Sequence, residues 1–267
     1  MASGEGRLQG RSAIVTGAGD GIGKAVAQRF AAEGASVLVA EIDSAKGEAV
    51  VAEITAAGGD AQFRRVDVAN KDDVVAMVGA AQQAWGKVDI LVNNAWGGGR
   101  LCRVELKSDA LFDHGFHVGF YGPFWAMQAA FPGMKANGYG RIVNLCSLNG
   151  VNAHIGTAEY NSAKEALRSL TRTAAREWAP YGICANVICP GAKTAASRAV
   201  FAANPGMEEM ADASNPMGRL GDPDADIAPV ALFLASEDAR YVTGNTMFVD
   251  GGSHINGSHW APELPES

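Results

Sequence analysis

Short apolar runs alternate along this chain with longer stretches whose apolar positions recur every three or four residues. SAIVTG, SVLVAE, AQFRRVDV and VDILVNNA have the length and β-branched content of strands. KAVAQRFAAEG, SAKGEAVVAEITAAG and KDDVVAMVGAAQQAWG read as the helices between them, each ending at or near a glycine able to close its last turn. The second half continues with RIVNLCS as a strand, a long helix from Ala158 to Trp178, ICANVICP as a strand and NTMFVDG as the last one. Strand and helix in regular alternation predict an α/β fold, a doubly wound parallel sheet of about seven strands with helices on both faces. A chain of 267 residues fits one such domain. We expect it to span residues 11–253, between a flexible N-terminal segment, 1–10, and a C-terminal tail, 254–267. Two regions interrupt the rhythm: the glycine-rich stretch 97–106, and residues 192–215, which we read as a substrate lid.

Bulk charge narrows the function classes. The net charge of −7 speaks against nucleic acid as a partner, since phosphate binding needs a basic face. No run is apolar enough to span a membrane, and the opening MASGEGRLQG lacks the apolar stretch of a signal peptide, so a cytoplasmic location is expected. Cys102, Cys146, Cys184 and Cys189 include no CxxC pair and read as buried thiols. His114 and His117 could share a helix face, but no third ligand accompanies them and no metal is expected.

Candidate chemistry begins with Thr16-Gly17-Ala18-Gly19-Asp20-Gly21-Ile22-Gly23, which follows the first strand and opens the first helix. Glycines there allow a tight turn and close backbone approach to a pyrophosphate, whose charge the helix N-terminus favours. Glu41 ends the second strand, eighteen residues past Gly23, where a carboxylate can accept from adenosine ribose hydroxyls and repel a 2′-phosphate. Asp20 adds a second negative charge and Ile42 offers no compensating cation, so NAD is favoured over NADP. Further along, Tyr160 and Lys164 stand four apart on a helix and so share a face. A phenol is too weakly acidic to be a base at neutral pH unless its anion is stabilised, and a neighbouring ammonium does that. Ser147 closes a strand thirteen residues before Tyr160, at the sheet edge where parallel α/β proteins bind ligands, and can orient a substrate oxygen.

Taken in order, TGxxxGIG, Asp67, Asn93-Asn94-Ala95, Ser147, Tyr160-Asn161-Ser162-Ala163-Lys164, Pro190-Gly191 and Asp250-Gly251-Gly252 resemble the short-chain dehydrogenase/reductase family across nearly the whole chain. The resemblance implies a Rossmann-type fold and a homotetramer with contacts near residues 107–136 and 158–178. It also implies that Gly17, Asp20, Gly21, Ile22, Gly23, Glu41, Asp67, Val68, Asn93, Ala95, Pro190, Gly191 and Thr194 surround the cofactor together with Tyr160 and Lys164. Lys164 would then also bind the nicotinamide ribose.

Three departures stand out. The family's catalytic asparagine is replaced by Gly119, in Val118-Gly119-Phe120-Tyr121-Gly122-Pro123-Phe124. The resemblance implies a water at this position that links Lys164 to solvent: either Pro123, lacking an N–H, leaves the Gly119 carbonyl free to hold it, or the relay runs differently or turnover is slower, and on the first reading we count Gly119 with the catalytic group. Trp96 stands where glycine is usual, and either walls the substrate pocket or packs under its loop. Thr194 falls one residue early after Pro190-Gly191.

Trp96, Leu148, Asn149 and His154, with Ser147 and Tyr160, are expected to meet the substrate. Their neighbours are mostly apolar and no arginine cluster offers to hold a carboxylate or phosphate, so a hydrophobic secondary alcohol or its ketone is expected. Two alternatives stay open: an NADPH-dependent ketone or 3-oxoacyl reductase, and a catalytically silent NAD-binding redox sensor or scaffold.

Overall fold

The computed structural model describes residues 6–194, 197–198, 201–202 and 204–255. Seven strands form one parallel sheet: β1 (Ser12–Thr16), β2 (Ser36–Glu41), β3 (Asp60–Arg65), β4 (Ile90–Asn93), β5 (Gly140–Leu145), β6 (Ile183–Pro190) and β7 (Thr246–Val249). Their order across the sheet is β3-β2-β1-β4-β5-β6-β7. Every residue of β1, β4 and β5 is buried, including the polar Ser12, Thr16, Asn93, Arg141 and Asn144, so these strands show no alternation of apolar and polar positions. The polar DAQFRR of β3 lies at the sheet's edge, with solvent on one side.

Helices cover both faces. On one, α1 (Gly21–Ala32), α2 (Ser44–Ala56) and a late helix over Ala228–Ala235 bury Val26, Phe30, Ile54 and Leu232 against Val15, Val39 and Val92. On the other, α3 (Lys71–Trp85), α5 (Gly122–Asn137) and α7 (Ala158–Trp178) bury Met77, Met127, Met134 and Ala174 against Ile14, Leu91 and Ile142. Side chains of Asp43 and Asn70 accept from first-turn amides of α2 and α3, and Gly86, at φ 76°, closes α3 in the left-handed conformation.

One sequence expectation changes in detail. Residues 6–10, expected to be flexible, are anchored: Leu8 is wholly buried, its N–H bonds the Glu33 carbonyl, and Arg7 pairs with Asp238. Helix after β4 comes in two pieces, α4 (Asp109–Phe116) and α5, joined by a π turn over His117–Tyr121 in which the Gly122 N–H reaches back to the His117 carbonyl. Of the expected lid, residues 195–196, 199–200 and 203 lie outside the described set, as do 256–267 of the tail. The remainder of the lid includes a helix over Met207–Ser214.

Candidate active site

The chain runs outward from β1 through β2 to β3, then returns to the other side of β1 to begin β4. A crevice opens at such a reversal, beyond the strands' carboxyl ends. The segments that follow β1, β4, β5 and β6 all lie at that edge.

The glycine turn after β1 is held by side chains from two neighbouring strands. Asn94 donates to the carbonyls of Thr16 (2.9 Å) and Gly17 (3.0 Å), while the Thr16 hydroxyl accepts from the N–H groups of Asn94 and Ala95. Backbone closeness explains the glycines: a Cβ on Gly23 would lie 2.1 Å from the Gly17 carbonyl oxygen, and one on Gly17 2.8 Å from the Ala95 Cα. Asp20 caps α1 through the Gly21 N–H at 2.6 Å. Glu41 reaches the same turn, accepting from Gly19 N–H at 3.0 Å with one oxygen and from the amides of Ile42 and Asp43 with the other. A carboxylate oxygen has room for more than one donor, so ribose hydroxyls can still bond there. Thr194 lies across from Gly21, 3.6 Å from where a Cβ would stand. Helix N-terminus, bare glycine turn and acidic strand end together fit a dinucleotide.

Other residues expected around the cofactor contribute unequally. Asp67 turns one oxygen to the Ala69 N–H, and the Val68 carbonyl abuts Gly122. Pro190 ends β6, and Gly191 packs on the Asp250 backbone. Ala95 stands beside Gly17, but the Asn93 side chain turns sideways into the sheet and donates to Asn144 at 2.8 Å. Asn93 therefore offers the crevice its backbone only.

Ser147 follows β5 in extended conformation and caps a one-turn helix, α6 (Leu148–Val151), accepting from the Asn149 N–H at 3.1 Å. Helix α7 carries Tyr160 and Lys164 up to it. Burial pushes the Tyr160 phenol up to about 12, and the nearby Ser147 hydroxyl acts against that rise. Burial moves Lys164 the other way, lowering its pKa; its Nζ donates to the Leu145 carbonyl at 2.7 Å and stands 5.8 Å from the centre of the Tyr160 ring. The arrangement can hold an alcohol or carbonyl oxygen at Ser147 and exchange a proton with it at Tyr160.

A family model described as enoyl-(acyl carrier protein) reductase matches residues 17–254. The chain is 39% identical over 247 residues to the 7alpha-hydroxysteroid dehydrogenase of Escherichia coli (strain K12), covering 92% of this chain and 95% of that one. The chain belongs to the short-chain dehydrogenase/reductase family. It is an oxidoreductase of that type. Levodione reductase superimposes with a TM-score of 0.89 at 31% identity, over 93% of this chain and 99% of its own. A structure from Beutenbergia cavernae with NADP at low occupancy gives 0.86 at 34%, over 93% and 98%.

Where this dehydrogenase/reductase departs from its family's pattern, the geometry is specific. Gly119 lies inside the π turn, and the residue four positions on is Pro123, which has no N–H to give its carbonyl. Trp96 meets Tyr160 edge to face, with ring centres 4.5 Å apart. His154 lines a cleft of about 600 Å³ with Asn161, Ser162, Ile155 and Glu165. Leu148 and Asn149 start α6 directly after Ser147. Cys102, expected to be buried, is half-buried on the loop before α4, while Cys146, Cys184 and Cys189 are buried as expected. Among the described residues no three His, Cys, Asp or Glu side chains are placed to hold a metal ion, and no helix is long and apolar enough to cross a membrane.

Three supports escaped the sequence reading: Asn94 as the clamp on the glycine turn, Asn144 as the partner of Asn93, and Glu159 beneath the 97–107 loop. Asn94 had a signal, its place in the Asn-Asn-Ala motif; Asn144 and Glu159 had none, because the partners that give them their roles lie far away in the chain.

Proposed function

We propose that this chain is an NAD(H)-dependent dehydrogenase that interconverts a hydrophobic secondary alcohol and its ketone, with Tyr160 as the proton-transfer group. One observation carries the reading: Tyr160 stands with Ser147 and Lys164 and packs against Trp96, whose chain neighbour Ala95 lies against the glycine turn on which the Glu41 carboxylate is seated. Bound NAD⁺ supplies the hydride acceptor. Ser147 orients the substrate oxygen, Tyr160 takes its proton as the hydride leaves the carbinol carbon, and the Lys164 ammonium favours the phenolate. Glu41 welcomes the adenosine ribose diol and opposes a phosphate on it. Asp67, Pro190, Gly191 and Thr194 complete the cofactor's surroundings, and the Gly119 carbonyl accepts from the water that joins Lys164 to solvent. The hydroxysteroid substrate in the Escherichia coli relative's name supports an apolar secondary alcohol.

A second reading, an NADPH-dependent ketone reductase, draws on the NADP in the Beutenbergia cavernae structure and on Lys46, whose ammonium stands 3.5 Å from Asp20 beside the turn. One experiment separates the two: initial rates with NAD⁺ and NADP⁺ across a panel of secondary alcohols, in wild type and Glu41→Ala. We expect NAD⁺ to be preferred and the preference to narrow in Glu41→Ala. Equal or faster rates with NADP⁺ in wild type would favour the second reading.

A further inference from the structure

The two departures from the family pattern that stand nearest the reacting group are in contact with each other. A Cβ built on Gly119 would lie 2.9 Å from Cζ3 of Trp96 and 3.0 Å from the Cβ of Ala163. The first distance is shorter than real Cβ contacts reach and the second is tighter than most of them, so the indole and Ala163 together crowd the space that a side chain at 119 would need. The other edge of the indole faces Gly99, 3.5 Å from where its Cβ would stand. Between those glycines the indole meets the Tyr160 ring edge to face at 4.5 Å and has the Lys164 ammonium 5.7 Å from its centre. Such ring contacts are directional and limit how far Tyr160 can swing.

We propose that Trp96 is a positioning residue for Tyr160 and Lys164, and that it occupies the volume vacated by the family's asparagine, so that Trp96 and Gly119 form one size-matched pair. The pair replaces a polar side chain at the relay by an aromatic wall against the catalytic tyrosine. Trp96 thus acts through Tyr160. The proposal rests on the proton-transfer role given to Tyr160 above; the packing half of it does not.

Packing is tested without any substrate, by a thermal-stability cycle. Gly119→Asn in the wild-type background is expected to lower Tm by several degrees, because the asparagine meets the indole. The same change in Trp96→Gly is expected to cost much less, or to raise Tm. Equal losses in both backgrounds would overturn the pairing.

Positioning is read from pH profiles of oxidation, using the alcohol that wild type turns over fastest. The groups facing Tyr160 are Ser147, Cys146 and Cys189 from the sheet side and Lys164 from its own helix. Glu159, next in the chain, is turned away to Lys107. Trp96→Ala lets water reach the phenol and the ammonium. Hydration lowers the first pKa and raises the second, and both changes favour phenolate. The rise of rate with pH is therefore expected to move to lower pH by about one unit, with kcat down about tenfold as orientation loosens. Trp96→Phe, which keeps an aromatic ring, is expected to restore most of both. An unmoved profile in Trp96→Ala, or equal shifts in Trp96→Ala and Trp96→Phe, would refute positioning. If wild type oxidises no alcohol in the panel, the functional reading and the positioning role fall together, and the stability cycle alone decides the pairing.

Discussion

Tyr160 is held as a neutral phenol by its surroundings, since burial raises its pKa to about 12 and the Ser147 hydroxyl only partly opposes that. Alcohol oxidation, which needs the phenolate, is expected to accelerate as pH rises, and ketone reduction, which needs the phenol, to slow. Paired rate profiles for the two directions check the sign. Tyr160→Phe is expected to cost about 10²–10⁴-fold in rate while Tm stays close to wild type. A variant that keeps full turnover would remove Tyr160 from the chemistry. At this scale the sequence was informative wherever a residue type is chemically uncommon in its setting. A tyrosine and lysine one helical turn apart and an acid closing β2 were visible. The sideways turn of Asn93 was not, because two neighbouring asparagines on one strand end look alike until the pleat sends one into the sheet and the other to the glycine turn.

Between elements, two polar contacts stand out against the apolar core. Asn93, Asn144 and Thr171 tie β4, β5 and α7 into one hydrogen-bonded row ending on the Leu167 carbonyl. Asn144→Ala leaves the Asn93 amide and the Thr171 hydroxyl short of partners, and is expected to cost about 1–3 kcal/mol in chemical denaturation. Lys107 and Glu159 form an ion pair with both side chains buried, where Glu159 also accepts from the Arg100 N–H at 3.2 Å. Burial is the largest single influence and raises the Glu159 pKa, but the hydrogen bond from Lys107, the backbone N–H donors of Glu159 and Arg100 and the Lys107 charge together outweigh it and hold the carboxyl below its ordinary value. The stabilisation this gives is present above the ordinary carboxylate range and is lost as pH falls through the depressed value. Lys107→Met would strand the carboxylate, and is expected to lower stability at neutral pH by about 3–5 kcal/mol; Lys107→Met/Glu159→Gln should lose less. Stability measured from neutral to acid pH tests both statements. Neither contact was legible in the chain, since each joins residues far apart in it.

For the whole molecule, the sheet order puts the ends of β1, β4, β5 and β6 along one edge, so that residues spread from Gly17 to Gly191 face a common crevice. Tyr121, Val151 and Ile155 leave apolar surface exposed on and near the segments the family resemblance offers as subunit contacts. We propose a homotetramer, and expect sedimentation equilibrium to find a particle of four 27.7 kDa chains. A monomer at micromolar concentration would refute that assembly.

By itself the sequence determined the alternation of strand and helix, the glycine turn, the acidic end of β2 and the serine, tyrosine and lysine of the site. Each is a local pattern, a period or a spacing within one or two turns, and local patterns survive in one dimension. Tertiary structure decided what Gly119 and Trp96 are for. Apart they are a missing asparagine and a surplus aromatic, 23 positions distant. Only close packing of the loop after β4 against the π turn and α7 shows that the indole fills the space the glycine leaves. Volume is conserved across neighbours in space, and sequence order does not record which residues those are.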